Sequence, residues 1–156
     1  MPHKHIIIPP TEQLPGSFKV TIKVRAEHTN GTMSVVEETL PPKELIPPHV
    51  HSNDVWVYVK SGKVGALVGE TVVTAKKGEW LLKPRDVQHS MWNPGTTPAT
   101  VIEVLTPGGT EKWFEEITAL KKGDKEGFDA ACKKHGIKFL PDSHWIDELR
   151  ERFGLK

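Results

Sequence analysis

A chain of 156 residues, 37% hydrophobic and 26% charged, is long enough for one domain with a packed core and ordinary in composition for a soluble globular protein. Its formal net charge of +1 and the lack of a long basic run argue against a nucleic-acid partner, which needs clustered Lys and Arg. No apolar run approaches the roughly 20 residues that span a bilayer, so neither a signal peptide nor a membrane partner is expected. The single cysteine, Cys132, calls for no oxidising compartment, and the expected address is the cytoplasm.

Residues 1–17, in which Ile6-Ile7-Ile8 runs into Pro9-Pro10, read as an N-terminal arm. Residues 18–26 alternate Val20, Ile22 and Val24 against Thr21, Lys23 and Arg25, the period of two of a half-buried strand. Thr29-Asn30-Gly31 then supplies a turn. Further strands are expected over 32–40, 55–60, 64–68, 71–75, 80–83, 89–92 and 100–105, separated by Ser61-Gly62, Gly69-Glu70, Lys77-Gly78 and Pro94-Gly95. Many short strands with close turns predict an all-β sandwich or barrel of the jelly-roll kind over residues 18–107. After Thr106-Pro107-Gly108-Gly109 the period becomes helical. Three C-terminal α-helices are expected over 108–156, packed on the barrel. Thr110 caps the first, Gly136 ends the second, and Asp142 or Ser143 caps the third, which presents Trp145, Ile146, Leu149 and Phe153.

Two histidine-bearing segments interrupt this pattern: Pro47-Pro48-His49-Val50-His51, and Gly78 followed by Pro84, Asp86, His89 and Asn93. Residues two apart on a strand face the same way, so His49 and His51 offer imidazoles side by side while His89 arrives from another strand. Neutral imidazole suits Zn, Fe, Ni and Cu. His3 and His5 repeat the spacing but precede any expected folded element.

The spacing Pro48-His49-x-His51 with Gly62 downstream, then Gly78-x5-Pro84-x-Asp86-x2-His89-x3-Asn93, resembles the two sequence motifs of the cupin superfamily. Residues 32–51 and the segment His135-Gly136-Ile137 also resemble small bacterial single-domain cupins labelled quercetinase-like. The resemblance implies a double-stranded β-helix, one divalent metal ion per chain at His49, His51 and His89, and a homodimer. One position departs from the motif. The family's first motif carries a ligating Glu seven residues before its Gly, and here that position is Val55, beside Asp54. Three readings follow: a three-histidine centre, as some cupin dioxygenases have; Asp54 or Glu103 as a substitute ligand; or loss of tight metal binding. The first is favoured.

Three neutral imidazoles leave the 2+ charge of the ion uncompensated, which favours a small anionic or enolisable ligand. With Fe(II), the favoured metal, this points to a dioxygenase-type oxidoreductase. With Zn, Mn or Ni it points to a Lewis-acid lyase or isomerase, and without metal to a non-catalytic small-molecule-binding barrel. Glu103, Tyr58 and Asp54 are the weak candidates for proton transfer, and the solvent-facing side of a strand is the plainer expectation for Glu103. Val55, Val57, Met91 and Asn93 are expected to line the pocket, Trp56, Tyr58 and Trp92 to face outward, and Cys132 to be core.

Overall fold

The computed structural model describes residues 7–16 and 19–156, so His3, His5 and Phe18 lie outside the described residues. Eleven strands and three α-helices follow in chain order: β1 (Leu14–Pro15), β2 (Val20–Val24), β3 (Ser34–Leu40), β4 (Leu45–His51), β5 (Asp54–Ser61), β6 (Lys63–Val68), β7 (Thr71–Lys76), β8 (Trp80–Lys83), β9 (His89–Trp92), β10 (Ala99–Thr106), α1 (Glu111–Thr118), α2 (Lys125–Lys134), β11 (Ile137–Phe139) and α3 (Trp145–Phe153). They form two antiparallel sheets, one ordered β1-β2-β3-β10-β5-β8 and the other β11-β4-β9-β6-β7. This is the all-β jelly-roll barrel that the strand spacing predicts, in the double-stranded β-helix form that the motif resemblance implies.

Burial alternates strictly along β3 and β10, so Val36, Leu40, Val101 and Leu105 point between the sheets. There they meet Val55, Val57, Val59 and Met91 in the main core. The same alternation carries three charged residues inward: Glu38 on β3, Glu103 on β10 and Lys83 on β8.

Segments on both sides of the predicted barrel region add strands to its sheets. Leu14 and Pro15, inside the expected arm, pair with Ile22 and Thr21. Ile137 to Phe139, where no strand is predicted, pair with His51 to His49 and cover the free edge of β4. A three-residue strand carries too little periodicity to be read from sequence; its partner defines it.

Two predicted helix caps differ from the observed ones. Thr110 makes no cap hydrogen bond, and the buried Glu111 carboxylate instead accepts from the backbone N–H of Ala26 (2.8 Å) and Gly109 (2.7 Å). His144, not Asp142 or Ser143, precedes α3. Asp124 caps α2 by accepting from the Gly127 N–H.

Leu149 of α3 is fully buried with Leu67 and Trp92 on the outer face of the β4-β9-β6 sheet, a burial that stabilises by roughly 1.5–3 kcal/mol. The Trp92 indole lies on Gly65, where a Cβ would stand 2.1 Å from the ring. Cys132 is buried with Trp113, Ile117 and Ala131 in a second cluster between α1, α2 and β11. No helix of the described residues is long and apolar enough to cross a membrane.

Candidate metal centre

His49 and His51 end β4, two residues apart on one face. Pro47 and Pro48, in the middle of this strand, cannot donate to a ladder, and the β4–β9 register shifts between Ile46 and His49, on either side of them. His89 opens β9 directly opposite His49. The preceding turn is held from two sides. The Asp86 N–H, at a left-handed φ of 61°, donates to the His51 carbonyl (2.9 Å), and Arg85 donates to the Asp54 carboxylate from its backbone (2.8 Å) and its guanidinium (2.9 and 3.1 Å).

These elements bring the three histidines together, with one ligand atom from each within 4.8 Å of the others. Each ring is oriented by a carbonyl two residues away: Nδ1 of His49 to Pro47 O (2.8 Å), of His51 to Asn53 O (2.8 Å) and of His89 to Val87 O (3.0 Å). A carbonyl only accepts, so each Nδ1 carries the proton and each Nε2 is left with a free lone pair. The Nε2 atoms of His49 and His89 stand 3.1 Å apart. Two unprotonated nitrogens at that distance repel unless a cation lies between them. A proton is opposed by burial, which pushes His49 down to about 3 and His51 to about 4 and lowers His89 further, with the nearby Lys83 ammonium adding to all three. A metal ion fits. Two nitrogens bound at about 2.1 Å in adjacent positions would be about 3.0 Å apart in an octahedral site and about 3.4 Å apart in a tetrahedral one.

The centre opens on a cavity of about 170 Å³. Val55 and Met91 line it, together with aromatic and aliphatic side chains from the C-terminal segment, among them Trp113, Phe114, Ile137 and Phe139. Val57 and Asn93 are placed elsewhere. Val57 is buried in the main core, and the Asn93 amide closes its own turn by donating to Leu40 O (3.0 Å) and Thr97 O (2.8 Å) and accepting from the Gly95 N–H.

The three candidates for proton transfer separate. Asp54 is committed to Arg85 at the surface, and that guanidinium holds its carboxyl below the usual range. Tyr58 packs against Trp80 with its ring tilted, the centroids 5.0 Å apart. Glu103 is not solvent-facing: it is 5% exposed, lines the cavity and pairs with Lys83, equally buried, at 2.5 Å. Its carboxylate therefore answers an ammonium rather than replacing the missing ligand at residue 55.

Sequence reading passed over Lys83, Glu38 and Asn53, which also line the cavity. Glu38 makes no hydrogen bond or ion pair among the described residues, and burial, reinforced by the negative charge of Glu103, pushes its carboxyl up to about 8. Inward parity was the available signal for Glu38 and Lys83, since each shares its strand face with buried aliphatic residues. Asn53 lies in the β4–β5 connection, where no periodicity points to it.

The family model described as "Cupin domain" matches residues 36–105. An uncharacterized conserved protein with a double-stranded β-helix domain from Klebsiella pneumoniae is similar over 68% of this chain and 93% of its own, at 22% identity and a TM-score of 0.53. A salicylate 1,2-dioxygenase from Pseudaminobacter salicylatoxidans is similar over 72% of this chain but 27% of its own, at 23% identity and a TM-score of 0.51. At such identities the likeness is one of fold. No curated protein matches the chain. The barrel topology, the histidine pattern and the family match agree: this chain folds as a cupin double-stranded β-helix, with the match centred on residues 36–105.

Proposed function

We propose that this cupin holds one divalent metal ion, Fe(II) in preference to Zn, Mn or Ni, at His49, His51 and His89, and acts as a dioxygenase-type oxidoreductase on a small anionic or enolisable molecule. The observation that carries this reading is the convergence of three unprotonated Nε2 atoms whose Nδ1 partners are all fixed. Bound iron would supply Lewis acidity and redox chemistry with O2. The protein's part is to hold, orient and exclude water. With no carboxylate ligand, the centre favours an anionic group on the bound molecule, and the Lys83–Glu103 pair adds no net charge. The walls are apolar, and the volume compares with that of an engineered 150 Å³ cavity that takes up benzene. That volume matches a single-ring molecule better than a three-ring flavonol. A salicylate dioxygenase among proteins of the same fold is in keeping with that size class.

A second reading, a metal-dependent lyase or isomerase, is favoured by Glu38. A buried carboxyl that holds its proton near neutral pH can carry one to or from a substrate carbon or oxygen. Elemental analysis with oxygen uptake on a panel of single-ring phenolic and enolisable acids separates the two. Near one iron per chain with O2 consumption supports the first reading, and turnover without O2 supports the second. The proposal includes a cytoplasmic homodimer without nucleic-acid or membrane partners. Trp56 and Trp80, 44% and 55% exposed on the outer face of β5 and β8, offer a surface for pairing, which the mass in solution tests.

A further inference from the structure

Glu38 sits on the inner face of β3, 7% exposed, and its carboxyl makes no hydrogen bond or ion pair among the described residues. Neither oxygen is sealed in. Both keep accessible surface, and on that face of the strand the surface belongs to the cavity that Glu38 lines. The carboxyl is therefore within reach of a molecule in the cavity. It is not the missing metal ligand, because no carboxylate oxygen joins the three histidine nitrogens within the 4.8 Å that encloses them. The two groups also stand on different sheets, the histidines on β4 and β9 and Glu38 on β3. A molecule chelated at the histidines can thus meet Glu38 with its other end.

The surroundings define the chemistry of that end. Glu38 faces Val101 on β10 and Glu103 faces Val36 on β3, which sets the two carboxyl groups diagonally on neighbouring strands. Lys83, the one lysine or arginine of the lining among the described residues, is held by Glu103 at 2.5 Å, and Glu44 adds a third carboxyl from the exposed β3–β4 connection. Three carboxyl groups share the cavity with one ammonium. Burial, with the charges of Glu103 and Glu44, accordingly opposes ionisation of Glu38 and pushes its carboxyl up to about 8. An entering organic cation removes that opposition, whereas an entering anion adds to the excess of negative charge. A metal ion finds no donor set at Glu38, which belongs to no group of three ligating side chains.

We propose that Glu38 receives the ammonium group of a ligand whose anionic end is chelated at the histidine centre. The ligand class is then a small zwitterion, such as an amino acid or an aromatic acid bearing an aminomethyl group. This deepens the proposed function and rests on its reading of the cavity as a chelating site.

The test uses the full zinc-loaded chain with para- and meta-(aminomethyl)benzoate, each against the methylbenzoate that lacks the nitrogen, and the variants Glu38→Gln and Glu38→Leu. In the parent, at least one aminomethyl acid should bind roughly tenfold or more tightly than its counterpart, the contribution of a hydrogen bond between charged groups. Calorimetry near neutral pH in buffers of different ionisation enthalpy should show that acid releasing a proton that its counterpart does not, because the ammonium lets Glu38 ionise. Both variants should keep one zinc per chain and bind the methylbenzoates within about threefold of the parent, yet lose the advantage and the proton release. The absence of any advantage for the aminomethyl acids in the parent would overturn the inference. So would an advantage that survives in both variants, or failure of both variants to fold, which would make the carboxyl structural. If the parent zinc protein binds none of these acids, the reading of the cavity as a chelating site fails, and the inference goes with it.

Discussion

Within one cavity, the histidine centre and the charged cluster are assembled in different ways. Each imidazole is oriented by a carbonyl two residues along its own chain segment, so the tautomer that frees its Nε2 is a local property. Glu38, Lys83 and Glu103 come from three strands, and the Lys83–Glu103 pair reaches across β5, opposite Val55 and Val57 respectively. Metal binding and stability should therefore respond to different substitutions. Ligands that depend on nearby backbone can be lost without unpairing anything else, whereas removing one member of a buried ion pair strands a charge.

The largest expected effect is therefore on metal content and the next on stability. His49→Ala or His89→Ala should reduce bound metal from one per chain to none while circular dichroism retains the folded barrel; full metal content in either variant would dissolve the assignment of the centre. Lys83→Met should lower unfolding free energy by about 3–5 kcal/mol, because Glu103 stays buried without its partner. The double variant Lys83→Met/Glu103→Leu should recover most of that loss in urea denaturation, which would show that the pair itself adds little net stability.

Val55→Glu joins the two sets by placing a carboxylate where the cupin motif has one. Divalent-ion affinity, followed by competition with a chelator, should tighten roughly tenfold. An unchanged value would mean that Lys83, the cross-strand partner of residue 55, has captured the new group.

The two sets also respond oppositely to pH in the metal-free protein. His49 and His51 are pushed down to about 3 and about 4, so between those values and the ordinary histidine range near 6.5 the unfolded chain binds more protons, and stability rises with pH. Glu38 is pushed up to about 8 from an ordinary 4.5, so across that interval the folded chain binds the extra proton, and stability falls with pH. With three histidines against one carboxyl, denaturation midpoints should climb from pH 4 to about 6.5 and decline from there to 8. Glu38→Gln should abolish the decline. The smallest effect should come from Asp54→Ala, which loses an exposed contact with Arg85 and should leave metal content unchanged while lowering the melting temperature least among these variants.

Legibility in the sequence follows the same division. Where a side chain's placement depends on residues a few positions away, as at His49, His51, His89 and the Asp86 turn, the spacing together with the motif it resembles is enough to pick it out. Val55 and Met91 follow from strand parity, although the same parity does not say how far along the barrel the cavity extends, and Val57 falls in the packed core instead. Glu103 shows the limit of reading one strand at a time: among aliphatic neighbours it looks like the exposed member of an alternation, and only Lys83 arriving from β8 accounts for its burial. Trp92 is similar, since outward parity is visible but the cover that α3 provides is not.

Strand patterning within each segment is enough to predict the barrel, and the spacing of the two histidine segments, with the family motif they resemble, is enough to pick out His49, His51 and His89 as a cluster and Val55 as the departure. The folded chain alone reveals that Glu103 answers Lys83, that Glu38 and Asn53 line the cavity, and that β11 and α1 help to wall it. Those facts depend on which strands lie side by side and in what register, and pairing between distant segments is specified by the packed whole rather than by either segment.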